Sequence, residues 1–158
     1  MNKFKLGGLS LAAAAALSYP FIAKHEGVIF KTYFDPVNIP TACVGHTKTA
    51  KMGQTFTEEQ CHFLFRMDYE ESFRALERNY KGDAVLSPEE VISYTSFIFN
   101  AGAGNFASST MLQKLNSGDR IGACHELKRW VYSKGKKLNG LVKRRAEEQQ
   151  LCLKGARP

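Results

Sequence analysis

Glu26, Asp35 and Thr41 fall within 16 residues of one another, just ahead of Gly45 and His46. Cleavage of a glycosidic bond needs one carboxylic acid to protonate the leaving oxygen and a second carboxylate acting on the opposite face of the sugar. Glu26 and Asp35 are candidates for that pair. Two carboxylates nine positions apart carry little weight alone, because the chain has 15 acidic residues. Thr41 sharpens the reading, since its hydroxyl can hold a water beside Asp35. His46, a lone histidine after a glycine, reads as a hydrogen-bonding neighbour rather than a catalyst. No CxxC occurs among Cys43, Cys61, Cys124 and Cys152, so a zinc site of the usual spacing is not expected. The chemistry asks for no metal and no cofactor.

Short β-prone pieces must position these residues: VIFKTYFD, PVNIP and TACVGHT, separated by turn residues, predict a small irregular sheet over 28–50. From Thr57 the pattern becomes helical. Thr57 and Gln60 form a capping box ahead of a helix over 58–79. Ser87, Pro88 and Glu90 repeat the start signal, and VISYTSFIF reads as a buried helix that Gly102 and Gly104 end. SSTMLQKLNSGD gives a short helix stopping near Gly118, and Asp119 caps the next, which holds Cys124, Leu127 and Trp130. NGLVKRRAEEQQLCL closes the chain as an amphipathic helix. Phe63, Phe97, Phe99, Phe106 and Trp130 are expected in the core or between helices. The fold class is α+β, mainly helical, with a small sheet near the N-terminus.

The length of 158 residues suits one domain with an appendage. A net charge of +7 favours anionic partners, but no nucleic-acid-binding motif is present, so no nucleic-acid partner is expected. Lys3 and Lys5 precede an almost uncharged run from Leu6 to Ala23, which as a helix spans about 27 Å, enough to reach across a bilayer core. The run is mostly Ala, Gly and Ser, with no amphipathic stripe, and reads as a marginal membrane helix. Left uncleaved, it puts the N-terminus in the cytoplasm and residue 24 onward in the periplasm; a cleaved signal peptide is one competing reading, and a buried core helix of a cytosolic protein, disfavoured by the two lysines and the missing stripe, is another. An even cysteine count behind such a start favours disulfides. Four cysteines allow three connectivities, of which Cys43 with Cys61 and Cys124 with Cys152 close the shortest loops.

EG at Glu26, YFD ending at Asp35, and T-x-x-x-G-H from Thr41 to His46 resemble the active-site region of the T-even phage type of lysozyme, glycoside hydrolase family 24. FNAGAGNF at 99–106, STML at 109–112, the run from Gly122 to Trp130 and GLVKRR from Gly140 follow in the same family's order. The resemblance spans about residues 25–155 and implies a lysozyme-like fold with muramidase activity on peptidoglycan, by an inverting route. It implies Glu26 as general acid, Asp35 and Thr41 as the pair that positions and activates water, and Phe99 and Asn100 as glycan contacts. It places Arg144 or Arg145 near Glu26. The N-terminal segment, residues 1–23, resembles that of the signal-arrest-release endolysins, with residues 24–158 as the muramidase domain. That resemblance implies a monomer held inactive at the host inner membrane, then released to the periplasm, with a holin or pinholin as functional partner. No cysteine occurs between Met1 and Ala42, so a topological or refolding switch is expected rather than thiol exchange.

Overall fold

A computed structural model describes residues 5–157; Lys3 of the basic start lies outside that range. The first helix, α1, is Leu11–Glu26, opened by Ser10, whose hydroxyl accepts from the Ala13 amide at 3.1 Å. It runs unbroken through position 23. Ala14, Ala15, Ser18 and Ile22 form its buried face, with the i, i+4, i+8 spacing of one side of a helix. The sequence hides this stripe because the opposite face, with Ala12, Ala13, Ala16 and Leu17, is apolar too. Packing of the buried face is keyed by a buried chain of hydroxyls: Ser18 Oγ donates to Tyr69 Oη at 2.9 Å, and Tyr69 donates to Thr95 Oγ1 at 3.0 Å. Among the described residues, no helix is long and apolar enough to cross a membrane.

Strands β1 (Ile29–Phe34) and β2 (Pro40–Cys43) pair antiparallel, with Tyr33 opposite Thr41. Helix α2, Glu58–Asn79, has the expected bounds, and both bonds of the Thr57–Gln60 capping box are present. The disulfide Cys43–Cys61 ties β2 to the first turn of α2. Phe65, Tyr69, Phe73 and Leu76 face inward, but Phe63 does not: it is 65% exposed, since the buried stripe of α2 passes through Cys61 and Phe65 and leaves Phe63 on the far side.

Helix α3, Pro88–Ala101, starts at the Ser87 capping box and is the central element of the core, burying Val91, Tyr94, Phe97 and Ile98. Gly102 ends it at φ +94°, a left-handed conformation that favours glycine. Gly104 does not end a helix; it lies inside the short α4, Ala103–Ala107. Then follow α5 (Thr110–Asn116), α6 (Arg120–Glu126, capped by Asp119), and a single 3-10 turn over Leu127–Arg129. A hairpin absent from the sequence expectation comes next, β3 (Tyr132–Ser133) and β4 (Lys136–Lys137). Lysines are poor strand formers, so only the turn at Lys134 and Gly135, both at positive φ, could have signalled it. Helix α7, Asn139–Ala156, packs along α3 and is tied to α6 by the disulfide Cys124–Cys152. Both disulfides are the short-loop pairs.

Candidate active site

Glu26 is the last residue of α1, and Gly27 follows at φ +80°. A carboxylate there sits at the negative end of the helix dipole, so the position needs a cation. Lys24 and His25 share the last turn, but it is Arg144 of α7 that reaches across: its Nη1 donates to Glu26 Oε1 at 2.5 Å. The choice between Arg144 and Arg145 is thereby resolved. The other oxygen, Glu26 Oε2, lies beside Gly45, 3.5 Å from where a Cβ would stand. Glu26 is thus half-buried, with one oxygen engaged and one at the loop after β2.

Asp35 follows directly on β1 and builds the turn to β2. Its Oδ1 accepts from the amides of Val37 at 2.9 Å and Ile39 at 2.8 Å, an aspartate turn in which the side chain stands in for a backbone acceptor. Its Oδ2 makes no hydrogen bond among the described residues. Thr41, buried on β2, donates from Oγ1 to the Ile39 carbonyl at 2.9 Å. Asp35 and Thr41 therefore meet on the residue they share: Ile39 gives its amide to one and its carbonyl to the other. This fixes both side chains on one hairpin, while Glu26 arrives from α1.

Behind the hairpin, His46 acts as the expected hydrogen-bonding residue. Its Nδ1 is 2.8 Å from Asp68 Oδ2 on α2 and its Nε2 is 2.6 Å from Thr49 Oγ1, so both ring nitrogens are occupied and the loop carrying Gly45 is held to α2. A cavity of about 190 Å³ separates this loop from α3 and α4, with Gly45, Asp68, Ser72, Phe99 and Ala103 in its wall. Of the expected site residues, only Phe99 lines it directly. Its ring leans on Phe65 at 5.6 Å between centroids. A larger groove of about 830 Å³ runs between α1 and α7 past Phe21, Lys24 and Lys154, and contains none of them.

The support behind Glu26 is a buried cluster that sequence reasoning missed. Glu148, fully buried on α7, accepts from Ser96 Oγ at 2.7 Å, Arg144 Nε at 3.2 Å and Arg145 Nη1 at 2.7 Å. Arg144 also donates to the Ser96 carbonyl at 3.2 Å. Arg145 donates to the Trp130 carbonyl at 2.9 Å and to Asn100 Oδ1, and lies over the Phe97 ring. Burial pulls the Arg145 pKa down, and Glu148 opposes that pull. One carboxylate thus orients the arginine that grips Glu26 and the arginine that holds Asn100. The signal was available: Arg144 and Arg145 stand four and three residues before Glu148, the helical spacings that bring side chains together.

Glu26 at the end of α1 reaches the loop after β2, and the hairpin before that loop carries a second carboxylate and a hydroxyl, Asp35 and Thr41, the residue types a glycoside hydrolase uses. The chain belongs to the phage lysozyme family, whose model matches residues 23–148. It is 42% identical over 131 residues to the SAR-endolysin of Bacteriophage PS119, a match covering 82% of this chain and 77% of that one. The endolysin of the Escherichia coli O157:H7 phage FAHEc1 superposes with a TM-score of 0.82 at 27% identity, covering 97% of this chain and 99% of that one. The active form of the P1 phage endolysin Lyz superposes at 0.81 over 93% of this chain and 95% of that one, with 21% identity, a likeness of fold. The chain is an endolysin of the lysozyme class.

Proposed function

We propose that this endolysin hydrolyses the β-1,4 bond between N-acetylmuramic acid and N-acetylglucosamine in peptidoglycan, with inversion. Glu26 is the general acid: Arg144 holds Oε1 and leaves Oε2, beside Gly45, to pass a proton to the leaving oxygen. Asp35 uses Oδ1 to shape its turn, and its Oδ2 orients and activates the attacking water together with Thr41. Phe99 and Asn100 contact the glycan, Asn100 with its carbonyl turned toward Arg145.

The observation that carries the regulatory half of the reading is that Glu26 belongs to α1 itself. While that segment stands in the inner membrane, Glu26 is kept from Arg144 and from the hairpin; once the segment leaves the bilayer and packs as α1, the site is assembled. A holin or pinholin is the expected functional partner, and the released enzyme works in the periplasm as a monomer. The decisive variant is Glu26→Gln, which should abolish solubilisation of peptidoglycan and keep membrane association. Substantial residual lysis sinks the acid assignment, and killing of cells without release of reducing sugars favours a non-catalytic, membrane-perturbing protein instead.

The rival reading is a secreted lysozyme with a cleaved signal peptide. Burial of Ala14, Ala15, Ser18 and Ile22 in the core favours retention, because cleavage near the alanine run would remove part of that face. Intact mass of the protein recovered from the periplasm distinguishes them: loss of the leading segment rejects release.

A further inference from the structure

Eight of the 22 lysines and arginines lie between Lys128 and Arg145, a stretch without a single Asp or Glu. The rest of the chain therefore carries 14 cations against 15 acids, so the whole excess of positive charge resides in this stretch. Three of the eight are engaged: Arg144 and Arg145 belong to the cluster around Glu148, and Arg129 pairs with Glu126 at 3.3 Å. Lys128, Lys134, Lys136, Lys137 and Lys143 are exposed and make no ion pair among the described residues.

These lysines are interleaved with apolar side chains that stay in water: Tyr132 is 63% exposed, Leu138 43% and Val142 37%. The β3–β4 hairpin is set by its two-residue turn, with Lys134 and Gly135 at φ +50° and +77°. Tyr132 stands opposite Lys137 in its register. Beside it runs a groove of about 420 Å³ whose wall includes Val131, Val142, Ala146 and Leu153, with Lys128 and Lys137 also in the wall. Lysine stems can cover apolar surface while their ammonium groups reach anions.

We propose that the β3–β4 hairpin and the adjoining face of α7 dock on an anionic lipid bilayer, with the lysines on headgroup phosphates and Tyr132, Leu138 and Val142 at the boundary with the acyl chains. Concentrated positive charge supplies the attraction, since each lysine near an anionic leaflet strengthens binding by roughly five-fold. The exposed apolar residues select lipid over a purely polar polyanion, which would leave them in water. Docking of this face needs neither the hydrolytic assignment nor the membrane residence of α1.

The test is sedimentation of the full-length soluble protein with vesicles of phosphatidylglycerol and phosphatidylcholine, and with phosphatidylcholine alone. Wild type and variants keep the same α1, so their difference isolates the hairpin. Lys134→Gln, Lys136→Gln and Lys137→Gln together should weaken anionic-vesicle binding about 100-fold, with turnover of soluble glycan fragments unchanged. Tyr132→Ser should weaken it roughly ten-fold. Wild type that binds neutral vesicles as tightly as anionic ones, or a triple variant that binds like wild type, overturns the proposal. So does loss in the triple variant with no effect of Tyr132→Ser, which would mark a charge-only surface for wall polymer or nucleic acid.

Discussion

Replacing Glu148 by Gln keeps the volume of the side chain and removes the one negative charge between two buried guanidiniums. Glu148 is fully buried and accepts three side-chain hydrogen bonds, from Ser96, Arg144 and Arg145. A glutamine retains one acceptor oxygen and turns an amino group toward a donor, so at least one of these bonds becomes donor against donor. Breaking a buried ion pair by removing one partner costs about 3–5 kcal/mol, and the retained oxygen puts Glu148→Gln near the lower end, about 3 kcal/mol. For a chain of this size each kcal/mol lowers Tm by about 2–4 °C, so calorimetry should show a drop of roughly 6–12 °C. Below the new midpoint, kcat should fall because Arg144 loses the bond that aims it at Glu26. A Tm loss of less than about 2 °C with unchanged kcat would refute the idea that Glu148 organises the site.

Ser18→Val should remove the donor to Tyr69 and cost about 1–3 kcal/mol, read by urea unfolding, with the variant's lytic activity falling as α1 packs less completely. Cys124→Ser opens a loop of 28 residues, and loss of stability of about 3–4 kcal/mol follows from chain entropy, measurable against the same protein under reducing conditions. Burial holds His25 below the ordinary histidine range, so between that lowered pKa and about 6.5 the unfolded chain binds more protons than the folded one. Its contribution to stability is therefore full above about pH 6.5 and declines as pH falls through the lowered value. Thermal midpoints followed from about pH 7 to about pH 5 should drop less for His25→Gln than for wild type; parallel curves would remove His25 from the account.

The helices were legible because their starts carry local chemistry. Thr57 with Gln60 and Ser87 with Glu90 satisfy backbone groups within four residues, and that logic needs no tertiary contact. Glu26, Asp35 and Thr41 are candidates by type and order, but how they are held is not legible in the sequence. Asp35 and Thr41 are coupled through the backbone of Ile39, and Glu26 through an arginine 118 residues away. Such couplings depend on how distant elements pack. Phe63 was misplaced because a helix with apolar residues on several sides does not announce which side is covered, and only the Cys43–Cys61 link and the contact with α1 decide it. The buried face of α1 was invisible for a related reason: alanine and serine differ little from their exposed neighbours in polarity. The β3–β4 hairpin, built from lysines, contradicts local preference and depends on its turn.

Since Ala14, Ala15 and Ile22 fill space between α2 and α3 while Glu26 ends the same helix, α1 is at once a wall of the core and the carrier of the proposed acid. Trimming the leading segment would then not yield a freed enzyme. It would open a void in the interior and loosen the hold on Glu26 in one stroke, so a shortened chain should be fragile and weak rather than permanently switched on. Core packing and the placement of Glu26 rest on a single helix, and neither can be edited without the other.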